Sequence, residues 1–364
     1  MNKEAKSLYI HIPFCEKICD YCDFTKLQYF RHFTVSYLQA LEKEIKSNHI
    51  GELETIYIGG GTPTSLEDDL FETLLQIVKP YSKGVKEYTV EANPESLTET
   101  KIKMLSHYGV NRVSIGVQST NDEILKYVNR NHTFSEVVNA VELLHKNGIH
   151  NINVDLILGL PHTNQKYLLE DLNNLSVLRI RHISCYGLTV HPHTVLYTKG
   201  FKEPDGDLIR EYYDTIEKFF LDGSFIHYEI SNYAKPGFES LHNRTYWRNE
   251  HYYGVGLGAS GYLGDVRYKN TSNLTKYLKG EYLEEKEMVS KSDDITYQIM
   301  LNLRMSEGID LKAFEKKFGF NLLNTKNAAI QEFIKEKLLY IRNDHLCPTY
   351  EGMMVLDQIV VKLI

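Results

Sequence analysis

Cys15, Cys19 and Cys22 fall within eight residues of a chain that holds only five cysteines. They lie in YIHIPFCEKICDYCDF, Tyr9 to Phe24. Thiolates are soft metal ligands, and a structural zinc site normally draws four of its ligands from two Cys-x2-4-Cys halves. Here the spacing C-x3-C-x2-C offers three, and Cys185 and Cys347 stand alone. Three thiolates on one loop suit a [4Fe–4S] cubane that leaves one iron to a non-protein ligand. Zinc with His11 as fourth ligand is the rival reading, and three cysteines gathered by chance the bland one.

Other polar groups recur where strand patterns end. GGGTPT, Gly59 to Thr64, follows the strand-like ETIYI; successive glycines let a ligand approach the backbone, although a tight connection would use the same residues. Glu91, Gln118 and Asp155 each close or interrupt an apolar run. Asp155 is the most telling, since an acid inside an apolar strand is costly unless it is paired or liganded. Arg130 suits a carboxylate of ligand or protein, or simply the surface. Further along, His242 opens HNRTYW, with Tyr246 and Trp247 behind it. Imidazole is a common metal ligand and flat aromatics suit a planar cofactor, while a packed aromatic loop is the plainer reading. His191, His193, His227 and His251 are alternative ligands, the H-x-H pair first among them. Gly254, Gly256 and Gly258 lack a following helix, so a nucleotide loop is discounted in favour of closing the sheet edge.

These residues need elements to position them. SLYIHIPF, ETIYIGG, EYTVEANP, RVSIGVQS, INVDLILGLP and HISCYGLTV alternate with amphipathic stretches such as FTVSYLQALEKEI, LFETLLQIVK and FSEVVNAVELLHKNG. That alternation predicts a parallel sheet with crossover helices. A weak repeat of helix end, Gly and strand places Gly109, Gly148 and Gly223 as left-handed helix caps and favours a β/α barrel or part-barrel over a doubly wound sheet. The predicted organisation is a barrel over residues 1–265, a connection over 266–290 and a small α+β unit over 291–364. That last unit reads as three helices, a hairpin and a final apolar segment, which is winged-helix-like. Its ten Lys/Arg against ten Asp/Glu argue for packing or protein contact over DNA binding.

The bulk numbers exclude several classes. A formal charge of −7 gives no basic field for nucleic acid. No run of about 18 apolar residues exists to span a membrane, which leaves room for peripheral contact only. MNKEAKSLYIHIPF carries no long apolar segment of the kind a secretory signal needs. Few, odd and clustered cysteines point to a reducing compartment, so a cytoplasmic location is expected.

The cysteine spacing resembles the radical S-adenosylmethionine (radical SAM) superfamily. YIHIPFC, GGGTPT, VEANPE, GVQS, VNRNHT and NVDLILGLP together resemble its oxygen-independent coproporphyrinogen oxidase branch, over most of the barrel. The resemblance implies an α/β fold, a partial (β/α)6-type barrel with the small C-terminal domain. It implies that Cys15, Cys19 and Cys22 hold the cluster. It places Tyr9, Gly60, Gly61, Thr62, Glu91, Gln118, Arg130 and Asp155 around S-adenosylmethionine, with Tyr9 packed beside it and Glu91 at a ribose hydroxyl. Two features depart from the oxidase: Phe24 stands where it has a fourth Cys, and HNRTYW is an addition. Both are similar to the branch's haem chaperones, the HemW family, as are YEISNYAKPG and HYYGVGLGASG. That likeness assigns His242, Tyr246 and Trp247 to haem. The expected function is a haem chaperone binding cluster, S-adenosylmethionine and haem and passing haem to an acceptor protein whose identity stays open. An oxidase-type radical enzyme is the alternative. Whether the cofactor is cleaved is open, since three cluster ligands are all that cleavage needs.

Overall fold

The computed structural model describes residues 5–220, 222 and 224–364. Six strands follow one another in the sheet in chain order: β1 (Ser7–Ile12), β2 (Thr55–Gly60), β3 (Glu87–Ala92), β4 (Arg112–Gln118), β5 (Asn151–Leu158) and β6 (His182–Gly187). All five pairings among them are parallel. These are the six runs that the sequence marks as strands. The five crossovers carry α1 (Arg31–Ser47), α2 (Asp68–Val78), α3 (Glu99–His107), α4 (Phe134–Lys146) and α5 (Gln165–Ser176), and α6 (Gly206–Phe219) follows β6. A doubly wound sheet reverses its strand order at a switch point. Here the order never reverses, and right-handed crossovers therefore put the helices in one layer. α1 packs on α2, α2 on α3, α3 on α4 and α5 on α6. Gly109 and Gly148 close α3 and α4 with φ of +82° and +84°, as expected of left-handed caps. Gly223 lies outside the described residues.

The sheet does not close on itself. At one edge β7 (Ile226–Glu229) and β8 (Asn232–Ala234) form a hairpin, with β8 antiparallel to β6. After α7 (Leu241–Trp247), β9 (Tyr253–Val255) pairs parallel with β1 at the other edge. The architecture is an open part-barrel.

Alternation along the strands separates two environments. Leu8, Ile10, Ile56, Ile58, Val90, Val113, Ile115, Ile152 and Val154 face the helices in one apolar core. Their neighbours Ser7, Thr55, Glu87, Thr89, Arg112, Ser114, Asn153, His182 and Ser184 are equally buried but face the concave side. The inside of the part-barrel is thus polar and sealed from water. Its base is closed by α7. The Glu87 carboxylate, on the first residue of β3, accepts the backbone N–H groups of Leu241 and His242 at 2.8 and 2.9 Å and the Ser240 hydroxyl at 3.1 Å. A helix N-terminus has unpaired N–H groups and a positive end, so an anion there serves both needs. Arg112, 1% exposed, holds the opposite charge beside it.

Residues 266–290, expected as a connection, form a unit of their own. β10 (Ser260–Leu263), β11 (Val266–Asn270) and β12 (Leu283–Met288) make an antiparallel sheet, so the hairpin of β10 and β11 crosses the expected boundary at 265. The buried Glu44 carboxylate of α1 ties this unit to the barrel, accepting from Asn270 Nδ2, the Tyr277 hydroxyl and the Gly256 N–H. Beyond it, helices Lys291–Asn302, Leu311–Phe318 and Asn327–Lys335 pack with a three-stranded antiparallel sheet, Ile309–Asp310, His345–Pro348 and Leu339–Arg342. The final apolar segment is a helix, Leu356–Leu363, in the same core as Ile299, Phe314, Ile330 and Leu346. This is the small winged-helix-like α+β domain.

Removing the Glu87 carboxylate frees a helix end and takes a nearby negative charge from buried Arg112. Glu87→Ala is expected to destabilise the fold by about 1–3 kcal/mol, read from the urea midpoint. Glu87→Gln should recover part of that loss.

Candidate functional site

At the C-terminal ends of the strands lies a cavity of about 400 Å³. Cys15, Cys19, Cys22, Gly60, Gly61, Thr62, Glu91, Gln118, Arg130 and Asp155 all line it. β/α barrels gather ligand groups at this end because the βα loops converge there.

The cysteine loop leaves β1 and is pinned at several points. Leu27 N–H donates to Pro13 O at 2.7 Å, Tyr29 N–H to Cys15 O at 2.8 Å and Asp20 N–H to Val128 O at 3.1 Å. The buried Asp20 carboxylate also holds Lys199 at 2.6 Å. Cys15 Sγ lies 3.7 Å from Thr62 Oγ1, and Arg130 Nη1 points at Cys19 Sγ across 3.6 Å. Burial pushes the Cys15 thiol up to about 12 and raises Cys22 as well, so both stay protonated until a cation arrives. Three soft donors on one cavity wall, with a guanidinium beside the middle one, fit an iron–sulfur cluster. The zinc alternative fits poorly. His11 turns away from the thiols, its Nε2 on Thr25 O at 2.7 Å and its Nδ1 on the Tyr9 hydroxyl at 2.9 Å. Among the described residues no three His, Cys, Asp or Glu side chains gather as a single-ion site.

The glycines are there for contact. A Cβ on Gly59 would strike the Glu91 carboxylate at 2.6 Å, and one on Gly61 the Phe14 carbonyl oxygen at 2.7 Å. Gly60 has φ +113° and faces the His11 ring. The N–H groups of Gly60, Gly61 and Thr62 are already spent on Glu91, Ile12 O and Phe14 O. What this motif can offer a ligand is carbonyl oxygen, which suits an ammonium group.

Glu91 accepts from the Tyr57 hydroxyl at 2.7 Å and Gly60 N–H at 2.9 Å. Burial outweighs those bonds and raises its carboxyl to about 7. Asp155 accepts from Asn153 Nδ2 at 2.8 Å and the Ser114 hydroxyl at 3.1 Å, so the acid inside the apolar strand is partnered. Gln118 sits at a register shift of β4 with φ +68°. Arg130, 8% exposed, is far from a surface arginine. It gathers Asn93 Oδ1 at 3.0 Å, the Gly116 carbonyl and Cys19. Sequence reasoning missed Tyr57, Asn93, Ser114 and Tyr186, which also line the cavity. Tyr57 and Ser114 were open to alternation along β2 and β4; Asn93 precedes Pro94 just past β3.

Tyr9 is placed elsewhere. It lines an adjoining pocket of about 320 Å³ together with His11, Phe24, Tyr246, Tyr252 and the small residues Gly258 to Ser260. Phe24, 66% exposed, lines both spaces.

The HNRTYW segment is helix α7, and its three expected haem residues point three ways. His242 is sealed at the base of the barrel, 0% exposed. Its Nδ1 bonds Thr55 Oγ1 and its Nε2 the Tyr246 hydroxyl, each at 2.7 Å. Burial lowers it to about 3, so it is neutral. In this structure it offers a ligand neither nitrogen, contrary to the expectation for an iron ligand. Tyr246 reaches the aromatic pocket. Trp247 turns toward the C-terminal domain, where Arg304 lies 5.8 Å over its ring and Asn302 Nδ2 donates to its carbonyl at 2.8 Å. Glu307 grips the same helix through Arg244 and Arg248. Of the alternative histidines, His191 lines the cysteine cavity, 3.1 Å from Asp23 Oδ2, with His193 stacked on it. His227 stacks on Tyr233 and His251 packs on Tyr262.

Known proteins resemble this chain over its whole length. A family model for the radical SAM superfamily matches residues 9–175, and one for the HemN C-terminal domain matches residues 289–355. The heme chaperone HemW of Lactococcus lactis is 38% identical, over 100% of this chain and 98% of its own. That of Bacillus subtilis is 36% identical over 97% and 98%, and that of Escherichia coli 34% over 83% of each. Among solved structures, coproporphyrinogen III oxidase (HemN) from Escherichia coli, described as a radical SAM enzyme, superposes with a TM-score of 0.86. The match covers 99% of this chain and 90% of that one at 21% identity, a likeness of fold.

The site predicts a selective pattern of iron loss. After anaerobic reconstitution, Cys15→Ala, Cys19→Ala and Cys22→Ala should each lose most of the iron and the charge-transfer absorbance. Cys185→Ala should keep both, because Cys185 is buried among the apolar residues under the helices. Iron analysis of the four variants checks this.

Proposed function

Because the chain belongs to the HemW family, in the coproporphyrinogen oxidase-like branch of the radical SAM superfamily, we propose that it is a haem chaperone. In this reading it binds a [4Fe–4S] cluster, S-adenosylmethionine and haem, and hands haem to an acceptor protein. The full-length similarity to heme chaperones carries the reading. The aromatic pocket reached by Tyr246, beside the cysteine cavity, supports it. We place the protein in the cytoplasm; among the described residues no helix is long and apolar enough to cross a membrane.

Cys15, Cys19 and Cys22 would hold the cluster, and the carbonyl oxygens of the Gly60–Gly61 turn would receive the amino group of S-adenosylmethionine. The cluster supplies one-electron reducing power and an open iron site. Arg130 offsets thiolate charge at Cys19 and fixes the end of β4 through Gly116. Glu91 and Asp155 present carboxylates to the polar parts of the ligand, each already aimed by two partners. Phe24, in place of a further cysteine, gives the cavity mouth an apolar wall. That wall serves a porphyrin better than a metal or redox function.

Two outcomes are expected. Haem added to cluster-free protein should quench the emission of Trp247, the only tryptophan. Under anaerobic reducing conditions the reconstituted protein should leave coproporphyrinogen III unconverted. Turnover matching a true oxidase run alongside would refute the chaperone as the main function.

Glu91 gives a pH dependence. Its carboxyl, raised to about 7, is protonated in the empty site below that pH. A cationic ligand favours the carboxylate, so binding below about 7 must expel a proton. Affinity for S-adenosylmethionine should therefore rise as pH increases through about 7. Calorimetry should show that slope flattened in Glu91→Gln.

A further inference from the structure

The polar interior of the part-barrel holds a chain of hydrogen bonds that ends on a cavity residue. Asp155 and Ser114 line the cysteine cavity, and the buried Asn153, His182 and Tyr228 lie behind them. The direction of every link follows from the first. A carboxylate only accepts, so Asn153 turns its amide nitrogen to Asp155 Oδ1 at 2.8 Å and to Ser114 Oγ at 2.7 Å. Ser114 Oγ in turn donates to Asp155 Oδ2 at 3.1 Å. The Asn153 amide oxygen then faces His182 Nδ1 at 2.6 Å, so that nitrogen carries the imidazole proton. Burial and the Arg112 charge push His182 well below its usual pKa, so the ring is neutral and its Nε2 is bare. Nε2 takes the Tyr228 hydroxyl proton at 2.8 Å. The Tyr228 oxygen accepts the N–H of Ser240, at the start of α7, at 3.2 Å.

We propose that Asn153, His182 and Tyr228 are positioning residues for S-adenosylmethionine binding and act through Asp155. This rests on the assignment of that cofactor to the cysteine cavity above. Every dipole in the chain points the same way, from α7 toward the carboxylate, and aligned hydrogen bonds polarise one another. Two donors, one on each oxygen, fix the plane of the Asp155 carboxylate and leave its remaining lone pairs to donor groups of the ligand. A flipped Asn153 amide would set its oxygen against that carboxylate. The Nδ1–H tautomer of His182 opposes the flip, and the Tyr228 hydroxyl on Nε2 locks the tautomer. Three side chains that line no part of the cavity thus determine how one of its acids is presented. The other cavity acid, Glu91, takes its bonds from Tyr57 and Gly60 and stands outside the chain.

The test is anaerobic calorimetry of S-adenosylmethionine binding to the full-length, cluster-reconstituted protein, with iron content and circular dichroism as checks on the fold. Asp155→Ala should weaken binding. His182→Leu, which fills the space without a hydrogen bond, should weaken it about 10-fold, the worth of one aimed bond to a charge. His182→Gln, which can donate to Asn153 and accept from Tyr228, should recover most of that loss. Tyr228→Phe should show a smaller loss in the same direction. With Asp155→Ala already in place, His182→Leu should cost almost nothing more, whereas a loss caused by packing would add in full. Wild-type affinity in His182→Leu, or additive losses in the double variant, overturns the positioning role and leaves the cofactor site standing. If His182→Leu fails to fold, Tyr228→Phe, which removes a single oxygen, goes through the same cycle and is decided by the same outcomes. Unchanged affinity in Asp155→Ala overturns the role together with the place of Asp155 in the site. Absence of binding in wild type overturns the cofactor assignment as well.

Discussion

The base of the part-barrel is closed by a buried carboxylate, and the site above depends on that closure. A sheet whose concave side is lined with Ser, Thr, Asn, His and Arg cannot be filled by apolar side chains, nor left to water. Glu87 resolves this at the base by binding the backbone of α7 and facing Arg112. With α7 fixed there, His242 fills the floor, and its two hydrogen bonds join Thr55 of the sheet to Tyr246 of the helix. The strand ends opposite remain open, and the cysteine loop, the Gly59–Gly61 turn and Arg130 meet around that opening.

The cysteine cavity is held by a different principle. Its loop borrows order from its surroundings: Val128 and Lys199 hold Asp20, Gly61 packs against the Phe14 carbonyl, and Arg130 bridges Cys19 to Asn93 and Gly116. The tethers come from three βα connections, those after β2, β4 and β6. Small changes in any one strand end are therefore felt at the thiols. The protonated state of buried Cys15 in the empty site has the same origin: burial comes before charge compensation.

The six central strands were legible because their helix-facing residues are β-branched or aliphatic at every second position. The polar residues between them were legible only where Glu91 and Gln118 close an apolar run and Asp155 interrupts one. Glu87, Arg112, Asn153 and His182 stand at or near strand starts, where polar residues look like ordinary caps, so the polar interior was missed. HNRTYW read as a single aromatic patch because its residues are neighbours in sequence. On a helix, positions 242 and 246 share a face and 247 is turned about 100° away, which sends Trp247 to the C-terminal domain and splits the patch. The 266–290 stretch read as a connection because its edge strand, LEEKEM, is exposed and charged. Its tie to the barrel is Glu44, more than two hundred residues earlier in the chain.

Phe24 is one ring with a cavity on either side and two-thirds of its surface in solvent. If each cavity held a ligand, a wall shared by the two would be a point of thermodynamic coupling. Whichever rotamer the occupant of one cavity selects is the rotamer that the other occupant finds. Any such preference enters both binding constants by the same factor, because linkage is reciprocal. Two occupancies of that kind would belong to one binding polynomial with a cross term, its sign set by which way a single phenyl ring lies.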